Sequence, residues 1–181
     1  METFLGYYFV RFNPNSAFFP SFNANGGGGQ FVYNFNQWVG GVVDLGAVTA
    51  GSLGGSNIDS TVINLVAGPR VTYRNGSRFQ PFAHILFGGA YSTASVPVGV
   101  PQERIILPTG PAVTTRLVAS NTGFAMLLGG GVDIKVGDHI TVRPIGADYY
   151  LTRLPNPLTG NNTNQNNFRY SAGISFVLGT Q

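Results

Sequence analysis

Apolar residues recur at every second position in block after block of this chain. That period confines it to β-structure with one apolar face per strand. In residues 61–73, Thr61, Ile63, Leu65, Ala67, Pro69, Val71 and Tyr73 share one face, and Asn64, Gly68, Arg70 and Thr72 share the other with Val62 and Val66. Residues 79–91 repeat the pattern, with Phe79, Pro81, Ala83, Ile85, Phe87 and Tyr91 against Gln80, His84 and Gly88. In 123–136, Phe124, Met126, Leu128, Val132, Ile134 and Val136 oppose Gly129, Gly131, Asp133 and Lys135. Near the C-terminal end, Phe168, Tyr170, Ala172, Ile174, Phe176 and Leu178 oppose Asn167, Arg169, Ser171, Gly173 and Ser175. Segments 24–34, 37–49 and 139–153 add three less regular strands. Segment 3–12 adds one that is apolar on both faces and cannot be oriented. Eight strands are predicted.

The connections alternate in length. Asn34–Gln37, the Asn75-Gly76 hairpin signal between Arg74 and Ser77, and Gly137-Asp138 are short. Segments 13–23, 50–59, 95–121 and 154–166 are long and rich in Pro, Asn, Gly and Ser. All long loops therefore leave one end of a single domain spanning 1–181, and both termini lie at the other. The strands flanking 95–121 are expected to continue as a ribbon with an irregular tip. The loop 95–121 holds Pro97, Pro101, Pro108, Pro111 and the apolar triplet Ile105-Ile106-Leu107.

Composition decides which face meets which solvent. Only 9% of residues are charged, against about 25% in ordinary soluble proteins, while 43% are apolar. The less apolar faces carry Gly, Ser, Thr and Asn with isolated charges. A strand face in water would carry Lys and Glu repeatedly. The apolar faces carry no charge within a strand. This is the pattern of an all-β, eight-stranded antiparallel up-and-down transmembrane barrel, with lipid outside and a small polar interior. A strand of about 10 residues, tilted by roughly 40°, spans the ~25 Å apolar band. Trp38, Tyr73 and Phe79 at the short-turn end, and Tyr91, Phe124, Tyr149 and Phe168 at the long-loop end, fit two aromatic girdles.

Other classes fall away. Collagen and coiled coils need periods that the 26 Gly and 11 Pro do not supply. The longest apolar stretch, Phe124–Val132, is too short for a membrane helix. With no Cys, disulfides and thiolate metal sites are excluded. The net charge of +3 comes from basic residues scattered singly, such as Arg11, Arg70, Arg104, Arg143 and Arg169, which speaks against nucleic acid. His84 and His139 share no face, so no metal site is expected. No Ser and acid stand at triad spacing, so neither catalysis nor a cofactor is expected. Gly26–Gly29 lacks the Lys and helix of a phosphate loop and reads instead as close backbone approach.

The run Ser171-Ala172-Gly173-Ile174-Ser175-Phe176-Val177-Leu178 completes the pattern. Together with eight strands, short turns and long polar loops, it makes the chain resemble the small bacterial outer-membrane barrels. These include the transmembrane domain of outer membrane protein A, its shorter relatives and the opacity-type surface proteins. The resemblance covers essentially all 181 residues. It implies that Gly173, Phe176 and Leu178 belong to the terminal signal read by the barrel-assembly machinery. It also implies a Gram-negative outer membrane, contact with lipid and lipopolysaccharide, and a signal peptide removed from the mature chain. No peptidoglycan-binding domain like that of the larger relatives is expected, and so no wall anchoring. A monomer with a structural or surface-interaction role is expected, its loop partner unidentified.

The interior would hold Asp44, Arg70, Asp133, Arg143, Asp148 and Arg169. Buried ions must pair, and an eight-stranded barrel is only wide enough to be filled by side chains, so these residues are expected to plug it. The hairpin registers suggest Asp148–Arg169 near the long loops, Asp133–Arg143 nearer the short turns, and Asp44–Arg70 as a third pair. Arg143 and Asp148 have opposite parity on one strand. A β-bulge between Pro144 and Ala147 would turn both inward. The alternatives are a narrow ion or water pore, a lipid A-modifying enzyme, and a soluble lipocalin-like carrier.

Overall fold

A computed structural model describes residues 1–13, 21–51, 59–99, 114–155 and 162–178. Eight strands follow in chain order: β1 (Glu2–Phe12), β2 (Phe22–Asn34), β3 (Val39–Ala50), β4 (Asp59–Thr72), β5 (Phe79–Gly99), β6 (Thr114–Lys135), β7 (Ile140–Pro155) and β8 (Asn162–Val177). Each pairs antiparallel with its sequence neighbour, and β1 pairs with β8 to close the barrel. Closure leaves no open sheet edge within the wall, the condition for β-structure in hydrocarbon. Met1 and Leu178 bond to one another through their main chains at the short-turn end.

The alternation sets the two surfaces. Leu65, Phe87, Leu128, Ile174 and Phe176 point outward with Leu5, Leu45 and Val71, and Ile85 is half-exposed among them. The strand that sequence could not orient turns Phe4, Tyr8, Val10 and Phe12 inward and Leu5 and Tyr7 outward. Trp38 packs against Tyr73 with ring centroids 5.1 Å apart at the short-turn end, and Tyr149 against Phe168 at 6.0 Å near the other.

Four expectations change in detail. The 73–78 connection is longer than a two-residue hairpin, although Gly76 does hold the left-handed conformation, with φ +77°. Ser77 closes this turn by donating its N–H to Asn75 Oδ1 at 3.1 Å and its hydroxyl to Phe79 O at 2.8 Å. The third long loop is shorter than 95–121, because β5 and β6 stay paired out to Gly99 and Thr114 as a protruding ribbon. The interior is not uniformly polar. Toward the long connections it is filled by Val10, Phe12, Ala24, Val48, Ala50, Val62, Ala90, Ala125 and Tyr150. The β-bulge falls at Arg143–Gly146, starting one residue before the expected place. Most of the long loops, including Ile105-Ile106-Leu107 with Pro101, Pro108 and Pro111, lie outside the described residues.

Candidate functional site: the filled lumen

The interior is built from side chains that the wall makes room for. Phe4 lies over Gly6 and Gly173. A Cβ at Gly173 would stand 2.9 Å from the Phe4 ring and 2.2 Å from Leu5 O. Tyr8 lies over Gly28 and Gly46, where an added Cβ would come within 2.5 and 2.9 Å of its ring. The glycine run on β2 is thus a bed for an aromatic ring of β1. Phe82 takes the space over Gly131.

These rings interleave with guanidinium groups. Arg70 lies 3.9 Å from the Phe82 centroid, and Arg143 lies 4.2 Å from Phe82 and 4.1 Å from Phe4. Phe4 stacks on Tyr8 at 6.3 Å, and Arg169 lies 4.5 Å from Tyr8. The order Arg70, Phe82, Arg143, Phe4, Tyr8, Arg169 is a continuous stack. Cations over aromatic faces are favoured, most strongly where water is excluded.

Hydrogen-bonded ion pairs fix the stack from the side. Near the short turns, Arg143 donates Nε to Asp133 Oδ1 at 2.8 Å, and Arg70 also binds Asp133 through Nη2. Further along, Arg169 donates Nε to Asp148 Oδ2 and Nη1 to Asp44 Oδ1, both at 2.9 Å. His84 Nε2 lies 2.9 Å from Asp148 Oδ1. Asp44 also accepts from Asn64 at 2.9 Å, Gln30 at 2.7 Å and the Tyr8 hydroxyl at 3.1 Å. Gln30 joins the halves, because its Oε1 accepts from Arg143 Nη1 at 2.9 Å while its Nε2 donates to Asp44. Three carboxylates thus face three guanidiniums, all fully buried, so the network balances its formal charge.

All six charged residues singled out from sequence line this lumen. Asp133 with Arg143 and Asp148 with Arg169 are in contact. Asp44 and Arg70 do not pair. Register sets Arg70 opposite Gly40 and Asp44 opposite Val66, four residues apart along the strand. At about 3.3 Å per residue this separates them by roughly 13 Å. Asp44 instead reaches across to Arg169, and Arg70 across to Asp133. Sequence reasoning also missed Glu2 and Arg74, which pair at 2.6 Å at the short-turn mouth, with Arg74 Nη1 donating to Gln37 O at 2.9 Å. Gln30, Asn64 and the three rings were missed too. The glycines facing those rings were the available signal. In the terminal motif, Gly173 turns inward beneath Phe4, whereas Phe176 and Leu178 are exposed on the outer wall.

A closed eight-stranded antiparallel wall with an outward apolar belt and a packed charged interior defines the fold of the small outer-membrane barrels. Neither a family model nor a curated protein sequence matches the chain, but solved structures do. Ail, the attachment invasion locus protein of Yersinia pestis, superposes with a TM-score of 0.61 at 17% identity, covering 97% of this chain and 98% of Ail. Neisserial surface protein A gives 0.60 at 14% identity over 98% and 96% of the two chains. OprG from Pseudomonas aeruginosa gives 0.50 at 15% over 97% and 94%. A further Ail structure, matching at 0.58 and 16% over 97% and 98%, is a complex with the heparin analogue sucrose octasulfate. At these identities the likeness is one of fold.

Proposed function

We propose that this chain is an integral protein of a bacterial outer membrane, with a plugged lumen and a loop-bearing end that contacts partners outside the cell. The carrying observation is the stack of rings and guanidiniums, held by a charge-balanced network that leaves the buried interior occupied by side chains. The outward belt of Leu, Ile, Val and Phe, with aromatics toward both ends, supports the membrane setting. In this reading lipid and lipopolysaccharide surround a monomer inserted by the barrel-assembly machinery through Gly173, Phe176 and Leu178.

The plug argues against a pore. Current across planar bilayers tests it: the intact protein is expected to give no steady single-channel conductance, and a well-defined open level would establish the pore reading. The interior charges neutralise one another and His84 is tied to Asp148, so the barrel's work is not catalytic in this reading. Release of acyl chains from radiolabelled lipid A by the refolded protein would overturn that view. Ail's complex with a heparin analogue makes sulfated ligands one candidate class for the loop-bearing end, where this chain exposes Arg11 and Arg153. Retention on immobilised heparin at physiological salt tests it.

A further inference from the structure

Among the described residues, the ribbon formed by β5 and β6 leaves its longer edge, on β6, unpaired. β6 pairs with β5 without a break from Ile134 up to Thr114, but its pairing with β7 ends at Phe124, opposite Arg153. Among the described residues no strand covers the outer edge of Thr114–Gly123. The direction of the main-chain groups along that edge follows from the foot of the strand. Lys135 donates its N–H to Arg78 O on the β5 side at 2.8 Å, and Val136 donates to Ile140 O on the β7 side at 3.0 Å. Odd residues therefore face β5 and even residues face outward. The unbroken β5 register carries this alternation up to Thr114, Arg116, Val118, Ser120 and Thr122.

Protruding edges are normally blunted by short length, Pro, repeated charge or a covering group. β8 shows such a device. Its segment Asn162–Asn167 lies beyond the pairing with β1, and Asn13 caps the foot of it, donating N–H to Asn167 Oδ1 and Nδ2 to Asn166 O, both at 2.9 Å. The β6 edge is longer. Its sequence, Thr-Thr-Arg-Leu-Val-Ala-Ser-Asn-Thr-Gly, holds no Pro and a single charge. Val118, Ala119, Ser120 and Thr122 are exposed, Val118 to 70%. An edge of free N–H and C=O groups recognises an extended polypeptide by adding it to the sheet. Charge sets the kind of peptide. Arg153 is exposed at the foot of the edge, and segments 114–123 and 149–155 contain two Arg and no carboxylate.

The geometry points to the outer edge of β6, Thr114–Gly123, as a docking site for an extended acidic segment of a partner protein, bound as an added strand. The inference rests on the reading that the loop-bearing end faces outside the cell. Copies in one membrane run their β6 strands in the same direction, so the antiparallel pairing of two identical edges needs copies in facing membranes. A separate polypeptide meets no such restriction.

The test uses the full chain refolded in lipid nanodiscs, one barrel per disc. The probe is a fluorescein-labelled decapeptide in which Thr and Val alternate with Glu, and binding is read by anisotropy. Saturable binding is expected. N-methylating every second peptide nitrogen should weaken it about tenfold or more in one phase and little in the other, because only one set of N–H groups meets the edge. Ser120→Pro removes an outward N–H while leaving the β5 ladder its donors, and should abolish binding. Arg153→Glu should shift preference to a peptide with Lys in place of Glu. No saturable binding, equal loss in both N-methyl phases, indifference to Ser120→Pro, or discs pairing with one another in preference to peptide would each overturn the proposal. Heat-modifiable migration on gels reports barrel insertion separately. Its failure would remove the outer-membrane reading, whereas an inserted barrel that ignores the peptide would remove only this inference.

Discussion

Truncating Arg169 to Ala tests the lumen network where it is most connected. The guanidinium binds two carboxylates, Asp44 and Asp148, each at 2.9 Å, and lies over Tyr8, with its side chain 1% exposed. Removing it leaves Asp44 with neutral donors only (Tyr8, Gln30 and Asn64) and Asp148 with His84. Taking one partner from a buried ion pair costs about 3–5 kcal/mol, and two carboxylates losing their cation puts this variant in the upper half of that range. The companion is Arg169→Ala with Asp44→Asn, which removes one charge of each sign. It should recover about 1–3 kcal/mol of the loss, because the pair couples through direct contact. Equilibrium unfolding in urea from phospholipid vesicles measures both, with the lone tryptophan, Trp38, as the fluorescent reporter. A cost for Arg169→Ala below about 1 kcal/mol, the range of exposed pairs, would refute the reasoning. So would a double variant as unstable as the sum of its parts.

Leu65→Arg, on the outward belt, should cost about 2–4 kcal/mol in the same vesicle assay, as a charge near the bilayer midplane does; a neutral effect would remove the belt from lipid. Gly28→Ala and Gly27→Ala make a matched pair. The first sets a methyl 2.4 Å from Leu45 O and 2.5 Å from the Tyr8 ring, and should cost about 1–3 kcal/mol. The second meets only Gly6 O at 3.2 Å and should cost less, so equal costs would show that Tyr8 does not lie on this bed. Phe82→Ala removes the ring between Arg70 and Arg143 and should raise bilayer conductance above that of the intact protein. A current indistinguishable from the intact barrel's would show that the ring is no part of the seal.

Much of this molecule was legible because period two and low charge are local properties. Each strand announces its own faces, as 61–73 and 168–178 do. The first strand did not, since both of its faces are apolar. Phe4 and Tyr8 turn inward because, besides Gly6 on the same strand, the glycines that accommodate them, Gly28, Gly46 and Gly173, stand on β2, β3 and β8. The bulge was legible from the opposed parities of Arg143 and Asp148 together with Pro144. The Asp44–Arg70 pair failed because neighbouring strands were assumed to be partners. In a narrow lumen long side chains meet across the bore as readily as along the wall, and hairpin registers say nothing of those crossings. The apolar fill beneath the long connections was hidden for a related reason: Val62 and Val66 look like flaws in a polar face until the whole ring of strands is assembled.

The span of the cross-lumen pairs has a consequence for the order of events during folding. Asp44 on the third strand meets its cation only when the eighth strand delivers Arg169, and Gln30 on the second waits for Arg143 on the seventh. An incomplete sheet already inserted in lipid would present Asp44 with no counter-charge, a condition hydrocarbon strongly disfavours. Curling shut and neutralising Asp44 are therefore a single event, completed by the eighth strand. A ribosome stalled before Arg169 leaves a chain that has most of its wall, with Arg70 and Arg143 on Asp133, but without the guanidinium that answers Asp44 and Asp148.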